Sequence, residues 1–146
     1  MTPEWVQLVD DEDGLVVVEL DDAAAQAAPL PDLPVQLAVT VALQDPDPEG
    51  QPYDVEHDEL GRWRAALEAA LGPDGRLVAT ITADGVREHL AYVRSPQVVE
   101  AWREAPPPGL GSHDARVVLV DDPTWLGLRE VAGLLEDGEQ PLVLPL

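Results

Sequence analysis

From residue 35 to residue 44 the chain alternates without a break. Val35, Leu37, Val39, Val41 and Leu43 fall on one side, and Gln36, Ala38, Thr40, Ala42 and Gln44 on the other. A period of two with one apolar side is the mark of a half-buried strand. The period then lengthens. Leu60, Trp63, Leu67, Ala70 and Leu71 share one stripe at helical spacing, and Gly72-Pro73 stops it, which predicts a helix over 55–71. Two further β-patterned runs, 76–83 and 86–94, flank Asp84-Gly85, a strong type I′ hairpin signal. Ser95 followed by Pro96 predicts a second helix, running to about residue 105 and burying Val98, Val99 and Trp102. Pro106, Pro107 and Pro108 break it. A last sheet strand is expected over 115–121. Asp122-Pro123 then opens a third helix, with Trp125 and Leu128 turned inward.

Ahead of this unit, two short β-rich runs (5–9 and 15–20) surround a charged turn ending at Gly14 and read as a hairpin. Residues 21–34, rich in Ala and Pro, read as a connector, and residues 138–146 as an extended apolar tail. A chain of 146 residues is one domain's worth. It divides into the hairpin and connector (5–34), a βαββαβ unit (35–121) and a C-terminal helix with tail (122–146). That order predicts an α+β fold, a ferredoxin-like βαββαβ sandwich with both helices on one face. Its central strands would be 35–44 and 86–94. The hairpin sets Leu77, Ala79, Ile81 and Ala83 beside Val86, Glu88, Leu90 and Tyr92. This side is the greasier, so it is expected to meet the helices. The other side carries Thr80, Thr82, Arg87 and His89. It is expected to lie open or to be covered by the N-terminal hairpin or a second subunit.

The run TADGVREHLAY (82–92), the Ser95-Pro96 helix start and the strand end Asp121-Asp122-Pro123-Thr124-Trp125 resemble a bacterial family known as domain of unknown function number 695. The Pro- and acid-rich loop with Gly50 and Pro52 fits it as well. The resemblance spans residues 5–130 and supports the fold. Members of that family sometimes adjoin a domain similar to a small acidic regulator that inhibits a ribonuclease. The resemblance therefore implies a regulatory binder by analogy alone.

Composition changes this picture mainly through charge. Eight Arg face 29 acids, with no Lys, for a formal net charge of −21. Absence of Lys, Asn and Phe, with Ile81 the single Ile, fits a GC-rich genome, but that pressure should raise Arg. The acidity is therefore no codon artefact. Such a charge repels nucleic acid and anionic membranes; it reads first as a solvated acidic surface, with a surface for a basic protein partner and cation binding at the acidic loops as the alternatives. With no Cys, structural disulfides and thiolate metal sites are excluded. No apolar run reaches the ~18 residues of a membrane span, and the acidic N-terminus is unlike a signal peptide. A soluble, cytoplasmic protein without a cofactor is expected.

Three constellations are candidates for chemistry. Asp45, Asp47, Glu49 and Glu56 occupy carboxylate positions of a calcium-type loop around Gly50, against which stand the long Glu49 arm and Pro52. Arg87 and His89, with Thr40, Thr80 and Thr82, form a polar sheet patch suited to a small anion. Glu88, on the helix-facing side, needs a partner such as Arg62, Arg64 or Arg94. Asp122 and Trp125 read as helix cap and core filler. His57, His89 and His113 show no metal-ligand spacing, and no nucleophile elbow or phosphate loop is present. The expectation is a non-catalytic protein-binding or regulatory module, with a homodimer through the open face among its forms. The alternatives are an anion binder or enzyme at Arg87 and His89, and a calcium-binding structural domain.

Overall fold

The computed structural model describes residues 2–11, 14–103, 115–137 and 142–145. The expected helix end at 105, the break at Pro106, Pro107 and Pro108, and His113 lie outside the described residues. Strands β1 (Trp5–Asp10) and β2 (Val16–Asp21) form the N-terminal hairpin, and α1 (Asp22–Ala27) follows at once. Then come β3 (Val35–Ala42), α2 (Asp54–Leu71), β4 (Gly75–Ala83) and β5 (Val86–Val93). The chain continues through α3 (Gln97–Glu100), β6 (Ala115–Asp121), α4 (Leu126–Asp137) and β7 (Leu142–Pro145). The fold is α+β. Among the described residues seven strands make one antiparallel sheet in the order β6-β3-β5-β4-β2-β1-β7.

The expected placing of the N-terminal hairpin and of the second sheet face is thereby corrected in two respects. The N-terminal hairpin does not lie over the sheet. It extends the sheet edgewise, β2 pairing with β4 from Val16 opposite Ala83 to Leu20 opposite Ala79. Both faces, moreover, carry a hydrophobic core. On one face Leu60, Trp63, Leu67 and Leu71 of α2 pack with Val35, Leu37, Val39 and Val41 of β3, and Val98, Val99 and Trp102 join from α3 and the turn after it. On the other, Ala24 of α1, Leu33 of the connector, Trp125 and Leu128 pack with Val18, Leu20, Ala79, Leu90 and Tyr92.

The expected facing of the β4–β5 hairpin is also reversed. Its turn is as read: Asp84 and Gly85 both have positive φ (52° and 79°), as type I′ requires, and Ala83 pairs with Val86. The decision comes from β3, which has a single apolar side and must turn it toward α2. Its register with β5 sets Val39 opposite His89 and Val41 opposite Arg87. Residues directly opposite in a ladder share a face. Arg87 and His89 therefore go under α2, and Glu88, Leu90 and Tyr92 go to the far face. A register slip at Val78 sends Leu77 toward α2 while Val78 and Ala79 join the far core.

Other elements follow local chemistry. The connector's Ala run does make a short helix, because Asp21 accepts the Ala24 N–H at 3.3 Å. Among the described residues the helix expected at Ser95 is one turn plus a 3₁₀ turn, and the first turn has no side-chain cap. No helix among the described residues is long and apolar enough to cross a membrane.

Two glycines make opposite predictions. Gly50 has φ of 79°, and a Cβ there would stand 2.8 Å from the Asp84 backbone. Gly61 is mid-helix, and a Cβ there would meet nothing within 4 Å. Gly50→Ala is expected to lower unfolding free energy by ~1–3 kcal/mol. Gly61→Ala should raise it by up to ~1 kcal/mol. Urea unfolding of both variants reads the two signs.

Candidate functional site

β4 and β5 set Thr80 opposite His89 and Thr82 opposite Arg87. These four residues are brought together as the sequence suggests, but in the core. Thr80 is 1% exposed, Thr82 2%, Arg87 6% and His89 0%, so this face is covered, but by α2 and not by the N-terminal hairpin or a second subunit. Thr40 is not part of the group. It pairs with Glu88 and falls on the far face.

Inside, His89 Nδ1 lies 2.9 Å from Thr80 Oγ1, and Arg87 Nε donates to Thr82 Oγ1 at 2.8 Å. Trp63 of α2 stacks on the His89 ring with centroids 5.2 Å apart. His89 Nε2 and Trp63 Nε1 have no hydrogen-bond partner. Burial, then the positive charges of Arg87 and Arg64, push His89 down to about 3, so the ring is neutral at pH 7. Burial also lowers Arg87 from its ordinary value, against the opposing pull of Glu19 and, less strongly, Glu56. Arg64 bridges Glu19 and Glu68 and lies 4.1 Å over the Trp5 ring. A neutral imidazole with no solvent access holds sheet to helix better than it serves as an acid or base.

The acidic loop uses its carboxylates on its own backbone. Asp47 Oδ1 accepts from the Glu49 and Gln51 N–H groups at 2.8 and 3.0 Å. Glu56, buried at the start of α2, accepts from Gln44 and Asp45 N–H at 2.7 and 3.3 Å. Asp45 and Glu49 are exposed. Among the described residues no group of three or more His, Cys, Asp or Glu is placed to hold a metal ion. The loop is tied down by Gln51, whose amide donates to the Leu15 and Thr82 carbonyls, and by the Gly85 N–H to the Gly50 carbonyl.

Glu88 needs no buried partner, since it is half-buried on the far face. Of its expected partners, Arg64 is held by Glu19 and Glu68, and Arg94 pairs with Asp74 at 3.1 Å. Asp122 accepts from Tyr92 Oη at 2.7 Å and from the Leu126 and Gly127 N–H groups at 2.9 and 3.0 Å. Burial alone would raise its pKa. The Gly127, Tyr92 and Leu126 hydrogen bonds outweigh that and hold it below the usual value. Burial and then Asp122 push Tyr92 up to about 12. Trp125 stacks on Tyr92 at 4.1 Å and donates to the Leu33 carbonyl.

Sequence reasoning missed Asp21. It is fully buried and accepts from Glu4 and Ala24 N–H and from Arg76 Nε and Nη2. An Asp before an Ala run is a cap signal. Nothing local marks Arg76, 55 residues on, as its partner.

The His89 environment predicts a pH dependence. An unfolded His binds a proton below its ordinary 6.5, whereas folded His89 stays neutral down to about 3. Its contribution is therefore complete above the ordinary value and is lost as pH falls, at up to ~1.4 kcal/mol per pH unit. His89→Phe keeps a ring against Trp63 and removes the proton site. Urea midpoints between about pH 7 and about pH 5 should show the native chain losing stability relative to this variant. Parallel curves would mean that His89 is not held neutral.

Among protein-family models, the one described as "Family of unknown function (DUF695)" matches residues 5–130. No curated protein and no solved structure matches the chain. The matched span takes in both core faces, the β4–β5 hairpin and the Asp122–Trp125 turn, and the chain belongs to this family of unknown function.

Proposed function

We propose that the protein is a non-catalytic binding module that takes an extended, basic segment of a partner protein along β6. The observation that carries this is the state of that strand. Among the described residues β6 ends the sheet on one side, and Val117, Val118 and Val120 are 43%, 45% and 48% exposed. Alternate residues of a strand face opposite ways, so apolar surface is offered on both sides of the edge. An edge strand also presents unpaired backbone donors and acceptors, the template for adding a further strand. A net charge of −21 favours encounter with a basic chain and opposes both nucleic acid and a second copy. The burial of Arg87 and His89 supports a non-catalytic reading. We also propose a regulatory role, on the family analogy, and a ferredoxin-like unit within the larger sheet, for which the run β6-β3-β5-β4 speaks.

A peptide alternating Val and Arg tests the module. It should shift β6 amide resonances saturably and bind several-fold more weakly as salt rises. Val118→Lys should abolish the effect. Val55→Lys, at an 82% exposed helix position, should leave it intact. Binding of an acidic twin with equal affinity, or self-association through β6 in place of peptide binding, would overturn the proposal.

A further inference from the structure

A cavity of about 530 Å³ lies near the other edge of the sheet, between β1, the C-terminus of α2 and the start of β4. It falls within the ~300–1,000 Å³ of small-molecule sites. Trp5, Leu30, Leu33, Leu71 and Leu77 give it apolar walls. Its charged groups are Asp21, Glu68 and Arg76. Arg76 is taken up by Asp21, with Nη2 2.6 Å and Nε 3.0 Å from the same oxygen. Glu68 shares Arg64 with Glu19, and the cavity's own lining sets two carboxylates against the one guanidinium of Arg76. α2 also ends here, with no basic residue in its last turn, and a helix C-terminus carries partial negative charge.

We propose that this cavity binds a small amphipathic cation, a primary amine on an aromatic or aliphatic body. The walls take the body, and the ammonium sits toward Glu68 and the end of α2. An anion of the same shape meets the two lining carboxylates and binds more weakly. The site lies across the sheet from β6 and stands or falls separately from the strand-addition reading.

The test uses phenethylamine and 3-phenylpropionate, twins that differ in the sign of the head group. On the ¹⁵N-labelled full chain, the amine should shift the Trp5 indole and the Gly72 and Gly75 amides saturably in the millimolar range. The carboxylate should bind at least ~10-fold more weakly. Glu68→Gln, on an exposed helix position, should weaken the amine several-fold without disturbing the rest of the spectrum. Equal affinity for the two twins, an unchanged affinity in Glu68→Gln, or no saturable shift with either probe would each overturn the proposal.

Discussion

The β4–β5 hairpin is buried on both faces, and the rest of the structure is arranged around that constraint. In β4 the four successive residues Leu77, Val78, Ala79 and Thr80 are buried, and in β5 the five from His89 to Val93. A strand closed on both sides has nowhere to send polar side chains. Here one face includes Thr80, Thr82, Arg87 and His89. An unpaired polar group in the interior costs ~1–3 kcal/mol. The Thr hydroxyls therefore pair with the His and Arg side chains across the ladder, and Glu19 offers Arg87 a nearby opposite charge. Charge and desolvation settle the remainder: the imidazole gives up its proton, which a guanidinium cannot readily do.

Two buried carboxylates then fasten the outer elements to this centre. Asp21 joins the N-terminal hairpin, α1 and Arg76 of β4. Asp122 joins Tyr92 of β5, Gln36 of β3 and the start of α4. They do opposite things with charge. Asp21 is matched by a guanidinium, whereas Asp122 is held mainly by neutral N–H and O–H donors, a form of support that consumes no Arg. With eight Arg for 29 acids, such support matters. Glu56 and Asp47 are treated in the same way, each on backbone N–H groups. Part of the acidity therefore works as capping and turn chemistry.

The strands, the first helix and the β4–β5 turn were legible because periodicity and φ preference are local. Which residues share a face was legible too, apart from the slip at Val78. Which face looks inward was not. Counting apolar residues on the hairpin favoured the Leu90 and Tyr92 side, and that side is indeed buried, beneath α1, Leu33, Trp125 and Leu128. The count fails only in giving that side to α2. The deciding fact is the pairing of β3 with β5, a contact about 50 residues apart in sequence. The same limit applies to the site. Thr80, Thr82, Arg87 and His89 share one hairpin and were grouped correctly, whereas Thr40 reaches the sheet through another strand and was not. The acidic loop reads like a cation loop because ligand spacing is visible in sequence. The N–H groups that claim Asp47 and Glu56 are not.

A sheet filled on both sides at its middle restricts where binding can occur. The faces of β4 and β5 are occupied by the protein's own helices, so a partner must come to the margins. The two margins differ in kind. At β6 the available features are a strand edge and valines, which suit an extended chain and reward length over chemical detail. Near β1 there is a half-open cavity of mixed apolar and polar lining, with one more carboxylate than guanidinium in that lining, which suits a compact molecule and discriminates by the sign of its head group. The long-range field acts alike on both, since a charge of −21 draws cations from every direction. Field alone cannot separate one cation from another. Selectivity has to come from what each margin adds at short range: backbone hydrogen bonding at one, contact with an apolar body beside a carboxylate at the other.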